Sequence, residues 1–423
     1  MDDERAAAPG PPPSRRQPGG GTPTVGVEEE LFLVRPDTGA VVGAGPLVAA
    51  RAALELGDLV AGEFTDLQIE VRTPPCTHTD ELHTQLVRLR AAVAAGAAEE
   101  GLRICPSGTP VIGGTRPPVG DHPRYRAGVE LYRSLMDDFA LCALHVHVFL
   151  PDRDVAAQVG NHLRPWLPLL IEMTANSPYY DGRDTGYASW RSVLRLRIPS
   201  LGPPPYAESF EDYRRIAAAM AEAGAMSFAD LPFWDIRPHP RLPTLEVRCM
   251  DVPPDPADSA AVAAVVRALV VTSARLVERG DPGPRSISEL LRGVYWYSTR
   301  DGWSGRGLDV LSGKMLSASE RANRLLHHIQ EALDELGDTA RVIAFFDRLA
   351  TRGSGAHRQR AAYRAGGLQH VVHDLITSPS GPEACRTDRK GEQGGEQKGG
   401  QPNLHSPGRF GPASRHDRAP RTT

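Results

Sequence analysis

Alternating apolar and polar side chains mark four short stretches of this chain as strands with one face turned into a core. They run from Thr24 to Val34, Gln68 to Thr73, Leu141 to Leu150 and Thr244 to Met250, each bounded by turn-forming residues. Longer, Ala-rich stretches lie between them with helical spacing. Past Asp80 or Thr79, either of which can cap a helix, Leu82, Leu86, Leu89 and Val93 fall on one helical face. Similar patterns predict helices near 155–175, 209–224, 257–279, 316–337 and 357–376. Strands scattered among helices, two of them strictly alternating, suit an antiparallel sheet with helices over one side better than a fully buried parallel sheet. The predicted class is α+β.

The polar positions carry the chemistry. Period two puts Glu28 and Glu30 on one face with Glu29 opposite, and sets Gln68, Glu70 and Arg72 against Ile69 and Val71. His145 and His147 share a face, as do Glu246 and Arg248 against Leu245 and Val247. A solvated face would explain any one of these strands, but such faces mix Lys, Thr, Ser and Glu. Here Lys is absent while Glu, His and Arg recur, which suits a cavity where carboxylates hold divalent cations and arginines grip phosphate or carboxylate groups. The chemistry this implies is metal-assisted phosphoryl transfer. The usual phosphate cradles are missing: Gly307 to Lys314 has one residue too many for a P-loop and Met315 where Ser or Thr belongs, and no GxGxxG follows a predicted strand. Metals and arginines would therefore have to hold a nucleotide's phosphates. The His-x-His pair also fits a zinc, iron or nickel site, although Leu150, Pro151 and Asp152 stand where a cupin would place a Glu, and HExxH is absent.

Composition adds limits. With 423 residues, 40% hydrophobic and 24% charged, the chain can bury a sizeable core. Its 48 basic and 52 acidic side chains leave a net charge of −4, which argues against a nucleic-acid or anionic-membrane partner. No stretch reads as the roughly 20 apolar residues of a membrane span, and the opening Met1-Asp-Asp-Glu-Arg5 lacks the pattern of a secretory signal, so a cytoplasmic protein is expected. Five scattered cysteines (Cys76, Cys105, Cys142, Cys249, Cys385) indicate neither a disulfide framework nor a zinc finger. Residues 1–22 and 377–423 are poor in apolar side chains and predicted disordered, which leaves 23–376 as a single catalytic domain.

The segment Ala175-Asn-Ser-Pro-Tyr-Tyr-Asp-Gly-Arg-Asp-Thr-Gly-Tyr-Ala-Ser-Trp-Arg191 closely resembles the hallmark of the bacterial carboxylate-amine ligases of the glutamate-cysteine ligase type 2 family, relatives of glutamine synthetase. Gly26-Val-Glu-Glu-Glu30, Glu70-Val-Arg-Thr-Pro74, His145-Val-His147, Phe233-Trp-Asp-Ile-Arg-Pro238, Thr244-Leu-Glu-Val-Arg248 and His357-Arg-Gln-Arg360 extend the resemblance from about Thr24 to Ile376. It implies a curved, mainly antiparallel sheet forming a funnel with helices on its outer face. The implied reaction is ATP-dependent: the glutamate γ-carboxylate attacks the ATP γ-phosphorus, and the amine of cysteine, or of another acceptor, then displaces phosphate. Carried over by position, Glu28, Glu30, Glu70 and Glu246, with His145 or His147, resemble ligands of Mg2+, for which Mn2+ could substitute. Arg72 and Arg248 would contact phosphate or substrate carboxylate, and Arg183, Arg191, Arg237 and Arg300 are further candidates for holding ATP. The partners implied are small molecules, with no nucleic acid and no membrane, and a homo-oligomer is left open. Tyr297 departs from the family, standing where an arginine is usual. Plainer readings run alongside: Asp181, Arg183 and Asp184 could simply lock a loop, Trp234 could be packing, and His122, His239, His327 and His328 surface or core histidines. A metallohydrolase built on His145, His147 and the glutamates, or a non-catalytic nucleotide or amino-acid binder, are the competing functions.

Overall fold

The computed structural model describes residues 21–377. Most of the N-terminal segment, the tail beyond Thr377 and Cys385 lie outside the described residues.

One sheet dominates. Its seven strands are β1 (Val25–Val34), β2 (Val60–Gly62), β3 (Gln68–Arg72), β4 (Arg103–Cys105), β5 (Ala143–Phe149), β8 (Ile236–Pro238) and β9 (Thr244–Asp251). Two further pairs, β6 (Tyr179–Tyr180) with β7 (Arg183–Asp184) and β10 (Arg306–Asp309) with β11 (Lys314–Ser317), form separate hairpins. The main order is β2-β3-β1-β5-β9-β8, with β4 also on β1, and every pairing is antiparallel. The four predicted strands are all present within a residue or two of their expected limits.

The helices are α1 (Gly45–Leu56), α2 (Thr79–Glu99), α3 (Pro123–Tyr132), α4 (Arg153–Leu163), α5 (Leu167–Thr174), α6 (Trp190–Arg195), α7 (Phe210–Glu222), α8 (Pro256–Glu278), α9 (Ser288–Asp301), α10 (Ala318–Leu336), α11 (Thr339–Arg352) and α12 (Gly355–Thr377). Val25, Val27, Val146, Val148, Leu245 and Val247 on the apolar face of the sheet join one core with α4, α5, α8 and α10. Leu31, Leu33, Ile69 and Val71 join a second with α1, α2 and the end of α12. On α2 the predicted stripe Leu82, Leu86, Leu89 and Val93 is wholly buried.

Several expectations are corrected. Neither Asp80 nor Thr79 caps α2; His78 holds the cap position without a side-chain bond, and both residues fall in the first turn. The helix expected over 155–175 is two, because Pro165 cannot continue the ladder and a 3-10 turn, Arg164–Trp166, intervenes. α12 is broken at Gly366 and Gly367, the latter at φ 71°. Contrary to the reading of the sequence, α8 is long and apolar enough to cross a membrane. In this fold it is a core helix: Asp258 to Val270 are buried, and its interior charge, Arg267, donates to Thr77 O (2.7 Å), Thr79 Oγ1 (3.0 Å) and Asp338 (2.6 Å).

Glu29, sent by the alternation to the apolar side, is fully buried there. Arg90 of α2 grips it through Nε and Nη2, both at 2.7 Å, while donating to the carbonyls of Pro253 and Pro254. This ion pair ties β1 to α2 and to the chain entering α8.

Candidate active site

Cross-strand register assembles the polar face. Glu28 lies opposite both Arg72 and His145, Glu30 opposite Glu70, and Glu246 opposite both His147 and Arg237. A bulge between Val247 and Met250 sets two residues of β9, Arg248 and Cys249, against His145. This face is not open to water as an edge of sheet would be. Glu30, Glu70, Glu246, His145 and His147 are all largely buried, and residues of α3, Met136, Phe139, Ile198, Leu201, Phe228 and Phe233 line a cavity of ≈ 130 Å³ on this face.

Three groups of ligand atoms lie close enough to share a cation: Glu28, Glu70 and His145; Glu28, His147 and Glu246; and Glu30, Glu63 and Glu70. His145 Nδ1 is 3.1 Å from Glu28 Oε2. Thr244 Oγ1, 3.1 Å from His147 Nδ1, orients the second imidazole, and its Nε2 is left buried without a hydrogen-bond partner, 3.4 Å from Glu28 and 3.9 Å from Glu246. An orphaned imidazole nitrogen facing two carboxylates, steered by a bond on its other nitrogen, fits metal ligation. A donor set of hard oxygens with imidazole suits a divalent cation.

Electrostatics point the same way. Burial and the nearby Glu63 push Glu30 up to about 8, burial raises Glu63, and burial with Glu28, Glu63 and Glu30 raises Glu70 well above the usual carboxylate range. Burial also works against Glu28 and Glu246, yet His145 and His147 hold the first well below its ordinary value, and Arg237 and Arg248 the second. His145 is pushed down to about 3 by burial and Arg248, so it is a neutral imidazole. For His147 burial is outweighed by Glu246 and Glu28, and its pKa rises. Glu30, Glu63 and Glu70, raised in this way, hold protons more tightly in the absence of a cation and would exchange them for one.

The predicted arginines divide. Arg248 donates to Glu246 and borders the cavity, and Arg72 Nε lies 3.4 Å from Glu70. Arg237 grips Glu246 through Nε (2.6 Å) and Nη2 (3.3 Å). Arg191 borders the cavity and donates to the carbonyls of Arg248 and Cys249, both at 3.2 Å. Arg183 and Arg300 are not brought to this cluster: Arg183 lies over the Trp190 ring, and Arg300 binds Asp301 and stacks on Trp296 and Tyr297.

The hallmark segment is a brace. Asp181 and Gly182, both at positive φ, make the tight β6–β7 turn. Arg360 of α12 pins Asp184 by two bonds of 3.0 and 2.8 Å. Buried Asp251, at the end of β9, accepts from Asn176 N (2.9 Å), Ser177 Oγ (2.7 Å) and Ser189 Oγ (2.9 Å). The segment is thus held by Asp251 and Arg360, not by mutual bonds among Asp181, Arg183 and Asp184 as the plainer reading had it, and it delivers Arg191 to β9. Trp234 is a packing residue, edge-on to Tyr213 at 5.0 Å. Cys142 and Cys249 are buried thiols whose pKa burial drives far up. Sequence reasoning missed Glu63; His239, 5.5 Å ring to ring from His147 and pushed down to about 4 by burial, accepts from Arg241 N and Leu242 N, which agrees with its plainer reading. Both are loop residues, outside any periodic run.

Two solved structures share this fold. One is a bifunctional glutathione synthetase from Pasteurella multocida, with a TM-score of 0.62 and 16% identity, over 85% of this chain and 51% of that one. The other is a glutamate-cysteine ligase from Francisella tularensis in complex with AMP, with a TM-score of 0.63 and 12% identity, over 85% and 88%. The architecture is therefore one found among ligases. More specifically, the chain belongs to the glutamate-cysteine ligase family 2 (GCS2), whose family model matches residues 24–374. It is 40% identical over 376 residues to "Putative glutamate--cysteine ligase 2-1" of Nocardia farcinica, spanning 88% of this chain and 97% of that relative. It is 39% identical over 354 residues to "Putative glutamate--cysteine ligase 2-2" of Mycolicibacterium vanbaalenii, spanning 84% and 96%.

Proposed function

We propose that this protein is a Mg2+-dependent ligase that uses ATP to join the γ-carboxyl of glutamate to an amine, with cysteine the default acceptor and its own relatives' naming the guide to both substrates. The observation that carries the reading is the buried run of Glu28, Glu30, Glu63, Glu70 and Glu246 with the orphaned His147 nitrogen, a donor set for more than one divalent cation. Bound there, Mg2+ would neutralise and align phosphate oxygens. Residues 23–376 form the catalytic unit, and the cytoplasm, with its ATP and free amino acids, is the setting that suits it.

The glutamate γ-carboxylate oxygen attacks the γ-phosphorus, the bond to the β-phosphate oxygen breaks, and ADP departs. The amine nitrogen then adds to the acyl carbon, loses a proton, and phosphate leaves. Arg248, at the cavity wall, is placed to take up charge on the transferring phosphoryl or the substrate carboxylate, and Arg72 to assist from β3. Arg237 and Arg191 hold Glu246 and the β9 backbone in position, while neutral His145 can ligate a cation without competing charge. Arg183 and Arg300 could meet the nucleotide only on the aromatic surface around Trp190 and Trp296.

The test is ADP release with Mg2+-ATP, glutamate and a panel of amines including cysteine, beside Glu70→Gln and Glu246→Gln. ADP formed only when glutamate and one acceptor are both present, and reduced about 100-fold or more in both variants, is expected. Turnover without ATP, or binding with no ADP from any pairing, would instead favour a metallohydrolase or a binder.

A further inference from the structure

The turn made by Pro165 between α4 and α5 buries Arg164 to 2% exposure. Other buried arginines each face a carboxylate: Arg90 has Glu29, Arg191 has Asp251, Arg195 has Asp235 and Arg267 has Asp338. Among the described residues Arg164 has none, and its Nε and Nη1 lack any hydrogen-bond partner. A buried charge without a partner is costly, and a bound anion would supply the partner that the fold does not.

Arg164 borders a cavity of ≈ 200 Å³ walled by Pro203, Pro204, Pro205, Ile216, Met220 and Trp234. At its rim stand Ser288 and Arg292 of the first turns of α9, a fourteen-residue helix with no side-chain cap. Arg292 is exposed and makes no ion pair among the described residues. A cationic floor, a second cation at the rim and uncapped helix amides all attract an anion. The walls are apolar, which disfavours a fully hydrated one. The site is separate from the catalytic cavity, though the chain passes between them: Phe233 borders that one and Trp234 this one.

We propose that this cavity binds a small organic carboxylate with an apolar body, the carboxylate on Arg164 and the body against the proline run, Met220 and Trp234. Calorimetric titration of the full chain with benzoate tests it, with benzamide as the uncharged isostere and inorganic phosphate as the bare anion. Saturable benzoate binding is expected, about tenfold or more tighter than either control. It should be lost in Arg164→Met and in Met220→Trp, which fills the cleft from α7. Because the ligand-free protein carries an unpaired buried charge, Arg164→Met should also raise its melting temperature. No benzoate binding, equal binding of benzamide or phosphate, or binding retained in both variants would overturn the proposal. So would an Arg164→Met protein that melts lower or fails to fold, since the arginine would then be structural.

Discussion

Glu29 and Glu30 are adjacent in β1, and one peptide unit sends the first into the core against Arg90 and the second onto the polar face. Because Arg90 is the cation paired with the buried Glu29, which Ser259 also hydrogen-bonds, Arg90→Met should cost about 3–5 kcal/mol in urea unfolding. A loss below about 1 kcal/mol would show that the charge is neutralised in another way. On the polar face the signs run differently. Glu30 titrates near 8 when folded against 4.5 when free, so the folded state binds the extra proton and its stability falls as pH rises through that interval. His145 opposes this only below 6.5, where its depressed folded value makes protonation of the unfolded chain costly to the fold. Between pH 6.5 and 8 the metal-free protein should therefore melt progressively lower, with the raised His147 adding to the trend. Millimolar Mg2+ should restore the loss and release protons, seen as a buffer-dependent binding enthalpy. A melting temperature that stays flat, with no proton release, would contradict a shared carboxylate site.

At the scale of elements, α12 is docked on the hallmark segment through a close approach. A Cβ on Gly355 would lie 2.1 Å from Asn176 Oδ1, and Asn176 is pinned by bonds of 2.8 Å to Pro106 O, Val252 O and Gln359. Gly355→Ala should thus destabilise by about 1–3 kcal/mol in the same unfolding assay, and an unchanged midpoint would refute the docking. Elements like these were unequally legible. β1, β3, β5 and β9 could be read because period two survives wherever one face meets a core, and with them came the glutamates and histidines of the cluster. The α2 stripe was legible for the same reason at helical spacing. α3 was not, since it buries no side chain fully and so carries no apolar stripe. Glu63 follows β2 in a loop and His239 sits between β8 and β9, where no repeat points to a face. Nor does local sequence announce the bulge in β9, which depends on pairing with β5. α8 escaped notice as a membrane-length helix because Asp258 and Arg267 interrupt its apolar run, and both are paired in the fold.

For the whole molecule, the sheet separates two environments: helices bury its apolar side, and a carboxylate-rich face bordering a cavity occupies the other. On the proposed route such an enclosure would shield an acyl phosphate from water until an amine arrives. On that proposed route the carboxyl group is activated by phosphorylation before the amide forms. Incubating the protein with Mg2+-ATP, the productive amine and glutamate labelled with oxygen-18 in its γ-carboxyl tests this directly, by mass analysis of the phosphate released. Transfer of one labelled oxygen to each phosphate is the predicted result. Phosphate carrying no label from glutamate would contradict an acyl-phosphate route and with it the ligase mechanism.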